Sequence, residues 1–555
     1  MDGSVLDTPL LRKQRGAFFT PMRIAEFLAA WATADRTNTK VLDPTCGEAV
    51  FLLAAARQLT ARNTHCDTKD LLYGVDLHAA SLERSRAVLD AEGFEASLAT
   101  GDFFDEIPPS QPDATLPWMD AVIGNPPFVR YQKHRGNTRK RSIAAAATQG
   151  VQLSGLASSW AALLVHACSF LKPDGRAAMV LPAELLTVGY AEPVRQWLKQ
   201  RFAEIHLVLF EDLVFPDAEE QIVLLAAQGT GGCDTFVLHQ VADTHNLQTM
   251  HACDAVTVTP STKGKWTDLL LPAEHRTLFR RIAANHFVSL DTYGQPELGT
   301  VTGSNSFFTL SEKTRETFGL SPKDVCAVVP PGTKHLKGTR FTQDRWEQLK
   351  RQGERVWLLN PQTDAAQGCL LRYIEYGHER GISKAYKCTV RTPWWRPPVV
   401  SSPDLFFTYM SHRYPRLITN DTEATFVNSM HGVRLRTTAP KCTKDALPLL
   451  ALNSVSMLGA ELYGRSYGGG ILKMEPREAA TLPVPAQMQL ADAWATIEPR
   501  RTHLDKLLCA GQWEQVVDEI DDALLVRAAG VAHSDVVTLR TEADRLRQRR
   551  MRKTE

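Results

Sequence analysis

Residues 41–52 read Val41-Leu42-Asp43-Pro44-Thr45-Cys46-Gly47-Glu48-Ala49-Val50-Phe51-Leu52. An apolar strand ends on an acid, turns through proline and glycine, and runs into an apolar helix. That order is the opening βα unit of a nucleotide-binding sheet. Working outward, 22–32 has helical periodicity, 71–76 (LLYGVD) is a second strand and 78–91 a second helix. DAVIGN (120–125) is a buried strand. A helix near 156–171, a strand at 176–182, a helix near 190–202 and strands near 204–210 and 221–227 follow. Strands alternating with helices predict an α/β fold, with a mainly parallel sheet covered on both faces. Such sheets bind ligands at the carboxyl ends of their strands.

After about residue 240 the alternation is lost. Residues 241–490 are rich in Pro, Gly, Thr and aromatic residues, with short strand-like runs at 326–330 and 354–360, and read as a mixed or β-rich second domain. From 491 to 555 the pattern is helical and ends in a basic tail: residues 540–553 hold seven Lys or Arg against two acids. The expected domains are therefore 1–240, 241–490 and 491–555. A chain of 555 residues suits several units at roughly 100–200 residues each. With 44% apolar and 23% charged residues the composition is that of a globular protein, which excludes disorder and collagen-like repeats. The net charge of +1 gives no global attraction to a polyanion, so any nucleic-acid surface must be local.

The ten cysteines lie at least 19 residues apart, so a zinc framework and a disulfide scaffold are not expected. His239, His245 and His251 recur at a spacing that suits neither a helix face nor a metal, and read as solvated. MDGSVLDTPLLRKQRG lacks the apolar region of a secretory signal. The uncharged stretch 142–171 is too polar in its first half to span a membrane. Its apolar part, Leu156 to Leu171, falls short of the roughly 20 residues a span needs and holds Ser158, Ser159 and His166, so it reads as a buried helix.

The chemistry lies at strand ends. Asn125-Pro126-Pro127-Phe128 follows the strand DAVIG directly. An exocyclic aromatic amine is a poor nucleophile because its lone pair is delocalised into the ring. Two acceptors on its two N–H bonds, the side-chain oxygen of Asn125 and the carbonyl of Pro126, draw it towards sp³ geometry. Consecutive prolines fix φ and remove competing donors, and Phe128 offers a face for a planar base. No side-chain base is required before attack, because the amine becomes acidic only once methylated. Upstream, Asp76 ends the second strand, where a carboxylate suits ribose hydroxyls. In Gly101-Asp102-Phe103-Phe104, Asp102 is placed to accept from an adenine amino group and Phe103 to pack on its ring. Each acid alone is more often a cap or turn residue. The three in order, followed by NPPF, are far more specific.

The set resembles the γ-class DNA N6-adenine methyltransferases, which use S-adenosylmethionine. Gly16-Ala17-Phe18-Phe19-Thr20-Pro21 is similar to that family's leading cofactor segment. Val214-Phe215-Pro216 takes the position of a second aromatic against the extruded adenine. Tyr463–Pro476 with Leu482–Pro485 looks like the close of the recognition domain. The resemblance, over roughly residues 16–490, implies a Rossmann-like class I methyltransferase sheet, a target-recognition domain and a helical C-terminal tail. It implies Asn125, Pro126 and Phe128 as catalytic residues, and Phe128 and Phe215 against the target base. Cofactor contacts are expected from Phe19, Thr20, Pro21, Asp43, Thr45, Cys46, Gly47, Asp76, Asp102, Phe103 and Asn125, with no metal required. The family's loop usually reads Gly-x-Gly; here it is Gly47-Glu48-Ala49, and cofactor binding is expected to survive the added methyl.

The implied partner is double-stranded DNA, with the target base flipped out because a stacked adenine cannot reach an enclosed pocket. Candidate DNA contacts are Arg130, Lys133, Arg135, Arg139, Lys140 and Arg141 after the NPPF loop, Arg391 and Arg396 around Trp394 and Trp395, and Arg413, Arg416 and Lys473. The alternative to these DNA contacts is a solvated charged face, and for the Trp pair core packing. Protein-glutamine and ribosomal-RNA methyltransferases share the NPP-aromatic chemistry, and either is the alternative substrate class. Their resemblance stops near residue 230, whereas the following 250 residues suit DNA readout. A non-catalytic subunit is opposed by the intact Asn125, Pro126, Asp43, Asp76 and Asp102. With 15 residues before Gly16 and a short basic end, modification without cleavage is expected, compatible with a separate endonuclease at the same site. The expected location is the bacterial or archaeal cytoplasm, at the nucleoid, with no membrane partner.

Overall fold

The computed structural model describes residues 20–63, 67–129, 136–210, 222–247, 255–260, 264–363, 365–467 and 469–551. The chain divides into two compact units, residues 1–273 and 274–555.

The first unit is built on a nine-stranded sheet. Its longer described helices are α1 (Met22–Ala32), α2 (Val50–Arg62), α3 (Ala79–Asp90), α4 (Gly136–Thr148), α5 (Ser159–Ala167) and α6 (Glu192–Arg201). Its strands are β1 (Val41–Asp43), β2 (Leu72–Asp76), β3 (Ser97–Thr100), β4 (Met119–Gly124), β5 (Leu171–Pro182), β6 (Glu204–Phe210), β7 (Ile222–Gln228), β8 (Phe236–Val241) and β9 (Val256–Val258). The order is β3-β2-β1-β4-β5-β7-β6-β8-β9. Strands β3 to β5 run parallel, and β7 is antiparallel to both neighbours. Strands β8 and β9 carry this sheet past residue 240, the boundary expected from composition, to a division at 273.

The central strands are mainly apolar because both faces are covered, with Asp43 and Asp120 as buried exceptions. Every residue of β1 and β4 is buried. Helix α5 is buried along its whole length, which explains its lack of charge. The helix expected to reach 171 ends at Ala167 and passes through a 3₁₀ turn, Cys168–Phe170, into β5. The order reverses at β1, with β2 on one side and β4 on the other. That is the switch point at which open α/β sheets hold ligands.

The second unit holds a five-stranded sheet of strands Gly294–Leu298, His431–Leu435, Leu405–Phe407, Leu417–Asn420 and Arg340–Phe341, in that order. Two small three-stranded sheets accompany it. Leu310, Leu358, Leu359, Tyr373 and Trp395 share one apolar cluster; Phe341, Trp346, Phe406 and Phe426 belong to another. Residues 491–551 belong to this unit and are mainly helical, closing with His533–Met551. The arginines of that last helix are paired: Arg540 with Asp518 and Asp521, Arg547 with Asp544, and buried Arg550 with Glu461. Among the described residues no single helix is long and apolar enough to cross a membrane. One bent pair, Thr443–Leu450 with Ser454–Tyr463, passes by length and composition alone.

Candidate active site

Sheet order brings the motifs together. Strands β3, β2, β1 and β4 are consecutive neighbours and parallel, so Asp102, Asp76, Asp43 and Asn125 follow adjacent carboxyl ends. The connecting loops are stitched to one another. The Cys46 amide donates to the Val75 carbonyl at 3.0 Å, and the Gly101 amide to the Asp76 carbonyl at 3.0 Å.

The turn after β1 rests on Asp76. Its Oδ2 accepts from the Gly47 amide at 3.0 Å, and its Oδ1 from the His78 amide at 2.9 Å. Ser85, on α3, donates to the Gly47 carbonyl at 2.6 Å. Ala49 caps α2 with φ +62°, the left-handed conformation that a glycine would take there at lower cost. Close packing under the turn depends on Gly74, where a Cβ would lie 2.7 Å from Leu98 and 2.9 Å from Cys46 Sγ. The Cys46 thiol is pushed up by burial and stays protonated. The Thr45 hydroxyl is buried with no hydrogen-bond partner among the described residues.

Asp43 is buried beneath this turn, its Oδ1 accepting from the Thr45 amide at 3.1 Å. Burial pushes its carboxyl up to about 8, with the Thr45 bond opposing and the Asp76 charge adding to the rise. At Gly124, the last residue of β4, a Cβ would sit 2.8 Å from Asp43 Oδ1, and φ is +153°. Glycine is therefore required directly before Asn125.

Asp102 caps the turn after β3, accepting from the Phe104 amide at 3.2 Å, and pairs with Arg141 of α4 at 3.0 Å. Arg141 also binds Asp105. Phe103 is 3% exposed and packs against His166 and Phe170, with Phe104 the more exposed ring. His166, held below its ordinary value chiefly by burial, lies 3.2 Å from the Phe103 carbonyl through Nε2. The Asn125 amide donates to Thr20 Oγ1 at 3.2 Å, which ties the segment before α1 to the NPPF turn. Phe128 is buried, at 8% exposure.

Phe19, Phe215, Arg130, Lys133 and Arg135 lie outside the described residues. Lys140 is exposed on α4, with Arg139 partly buried. Arg391 turns inward, donating to the carbonyls of Val301 and Thr302 and lying 5.0 Å from the Phe308 ring centroid. Arg416 likewise binds the carbonyls of Leu336, Lys337 and Gly338 and stacks on Trp513. Arg396 is exposed, whereas Trp395 is core. Lys473 sits on a hairpin formed by Arg465–Tyr467 and Ile471–Lys473, 2.6 Å from Glu475 and over the rings of Tyr409 and Tyr467. Ser85 and Ser159 were not singled out by the sequence, and Arg141, read there as a DNA contact, pairs with Asp102. The signal for Ser159 was a polar side chain at the start of an uncharged apolar helix.

Residues 8–209 match the N-6 DNA Methylase family, and residues 263–525 match the C-terminal domain of type II methyltransferase M.Eco57I. The first part of the chain is thus similar to the N-6 DNA methylases, a family that uses S-adenosylmethionine, and the chain is a type II, site-specific DNA adenine methyltransferase. It is 22% identical over 483 residues to Type II methyltransferase M.AccI of Acinetobacter calcoaceticus, covering 84% of each chain. To Type II methyltransferase M.XamI of Xanthomonas campestris pv. amaranthicola it is 24% identical over 497 residues, covering 87% of this chain and 88% of that one. Its fold is similar to that of the Type IIL restriction-modification enzyme MmeI, solved in complex with DNA. The TM-score is 0.53 at 12% identity, over 98% of this chain and 78% of that one.

Proposed function

We propose that this chain transfers a methyl group from S-adenosylmethionine to N6 of an adenine flipped out of duplex DNA. It does so as the modification member of a bacterial restriction-modification system, alongside a separate endonuclease in the cytoplasm. The observation that carries the reading is the adjacency of Asp76, Asp102 and the Asn125–Phe128 turn at one sheet edge, with Asn125 oriented by Thr20.

The residues present fit the cofactor. The unpartnered buried hydroxyl of Thr45 awaits a polar group. Asp76 receives ribose hydroxyls on a carboxylate held by two backbone amides, and Asp102 receives a purine amine. S-adenosylmethionine supplies an electrophilic methyl on a sulfonium, and the chemistry asks for no metal. Asn125 Oδ1 and the Pro126 carbonyl accept the two N–H bonds of the target amine and localise its lone pair. Once the nitrogen holds a fourth bond its proton is acidic and passes to water, so no side-chain base is needed. Phe128 stacks on the extruded base, worth roughly 1–3 kcal/mol, which offsets part of the few kcal/mol that extrusion costs. Phe215 serves as the second face. Arg139, Lys140, Arg396 and Lys473 contact phosphates, which makes affinity salt-dependent.

Tritiated methyl transfer tests the reading, with duplex DNA, RNA and release-factor protein compared side by side. Label on adenine of duplex DNA supports it; label confined to RNA or protein overturns it.

A further inference from the structure

Pro126 and Pro127 have no N–H, so half of the four-residue NPPF turn brings no backbone donor. Its bracing comes from the first residue of α5. Ser159 Oγ donates to the Pro127 carbonyl and accepts from the Val129 amide at 3.0 Å, and the Ser159 amide donates to the Val129 carbonyl at 3.1 Å. These three bonds fall on the two residues flanking Phe128. Ser159 is buried, so no water replaces it freely. The neighbouring polar groups face elsewhere: Ser158 Oγ and Trp160 Nε1 both donate to Glu184, at 3.4 and 3.2 Å. Near the other end of α5, His166 lies 3.2 Å from the carbonyl of Phe103. One rigid, fully buried helix thus touches both the turn after β4 and the turn after β3.

We infer that Ser159 is a positioning residue for methyl transfer: its hydroxyl clamps Pro127 to Val129 and so fixes the ring of Phe128 and the acceptor geometry of the turn. The inference rests on the reading of Asn125–Phe128 as the transfer site. Loss of the clamp leaves every atom that touches substrate in place but free to shift. A misplacement of about 1 Å costs up to roughly 100-fold in rate.

The test compares Ser159→Ala, Ser159→Thr, Ser158→Ala and Asn125→Ala in the full chain. Readouts are single-turnover methylation of unmodified plasmid DNA at saturating cofactor, cofactor affinity by calorimetry, DNA affinity and melting temperature. Ser159→Ala is expected to lower the single-turnover rate roughly 10- to 100-fold, with cofactor and DNA affinity within about twofold of the parent. Ser159→Thr, which keeps the hydroxyl, recovers most of the rate, and Ser158→Ala stays near the parent. A Ser159→Ala rate within twofold of the parent, while Asn125→Ala is inactive, overturns the clamp alone. An active Asn125→Ala overturns the reading beneath it. If Ser159→Ala loses cofactor affinity and melting temperature together, and Ser159→Thr restores neither rate nor fold, Ser159 is merely structural and the inference fails.

Discussion

Asn125 Nδ2 donates to Thr20 Oγ1 at 3.2 Å, joining residues 105 apart in the chain. With the amide nitrogen on Thr20, Asn125 Oδ1 is the atom proposed to accept from the target amine. Thr20→Val removes the acceptor and lets the amide turn over. Its single-turnover rate should fall roughly tenfold, with Thr20→Ser near the parent. Equal rates for Val and Ser would mean that the hydroxyl does not orient Asn125.

Asn125→Ala deletes one of the two acceptors on which localisation of the lone pair depends. Removing one preorganised group of this kind costs about 100- to 1000-fold in turnover. Binding of S-adenosylmethionine, followed by calorimetry, should be nearly unaffected. Transfer within tenfold of the parent would take Asn125 out of the mechanism.

Asp76 holds the Gly47 turn and is the residue proposed to take the ribose hydroxyls. Asp76→Ala breaks the bond to the Gly47 amide and deletes the charged acceptor. A hydrogen bond to a charged group is worth about 1.5–3 kcal/mol, so cofactor affinity should weaken roughly 10- to 100-fold. Unaltered affinity would place the ribose elsewhere.

Asp43 gives the fold a pH signature. Its folded-state value is raised to about 8 by burial, against an ordinary 3.8. The folded chain therefore keeps a proton that the unfolded chain has released. This contribution is complete below about pH 4 and is lost as pH rises through about 8. Asp43→Asn keeps an oxygen for the Thr45 amide and cannot ionise. Urea midpoints at pH 5, 7 and 9 should fall less steeply with pH for this variant than for the parent. Parallel profiles would show that Asp43 does not titrate in the fold.

Strands β1, β2 and β4 and their ends were legible because each is a largely buried, mainly apolar run that stops at Asp43, at Asp76 or before Asn125, whereas β3 is short and exposed and Asp102 lies two residues beyond it. Their order in the sheet was not legible: β3-β2-β1-β4 is set by crossovers, and only that order makes Asp76, Asp102 and Asn125 neighbours. Pairings such as Thr20 with Asn125, or Ser159 with Pro127, join segments whose local sequence carries no trace of the partner. The partners of basic residues were hidden for the same reason. Arg141, Arg391 and Arg416 look like phosphate ligands in one dimension, yet they spend their donors on Asp102, on Val301 and Thr302, and on Leu336 to Gly338. The C-terminal arginines follow suit, because their acids lie on other helices or one turn away.

Nucleoside analysis of plasmid DNA treated with the purified chain and S-adenosylmethionine tests the whole account most directly. N6-methyladenine is the expected product, present with the parent chain and missing with Asn125→Ala. Methyl groups on cytosine, or N6-methyladenine formed equally well by both chains, would contradict it.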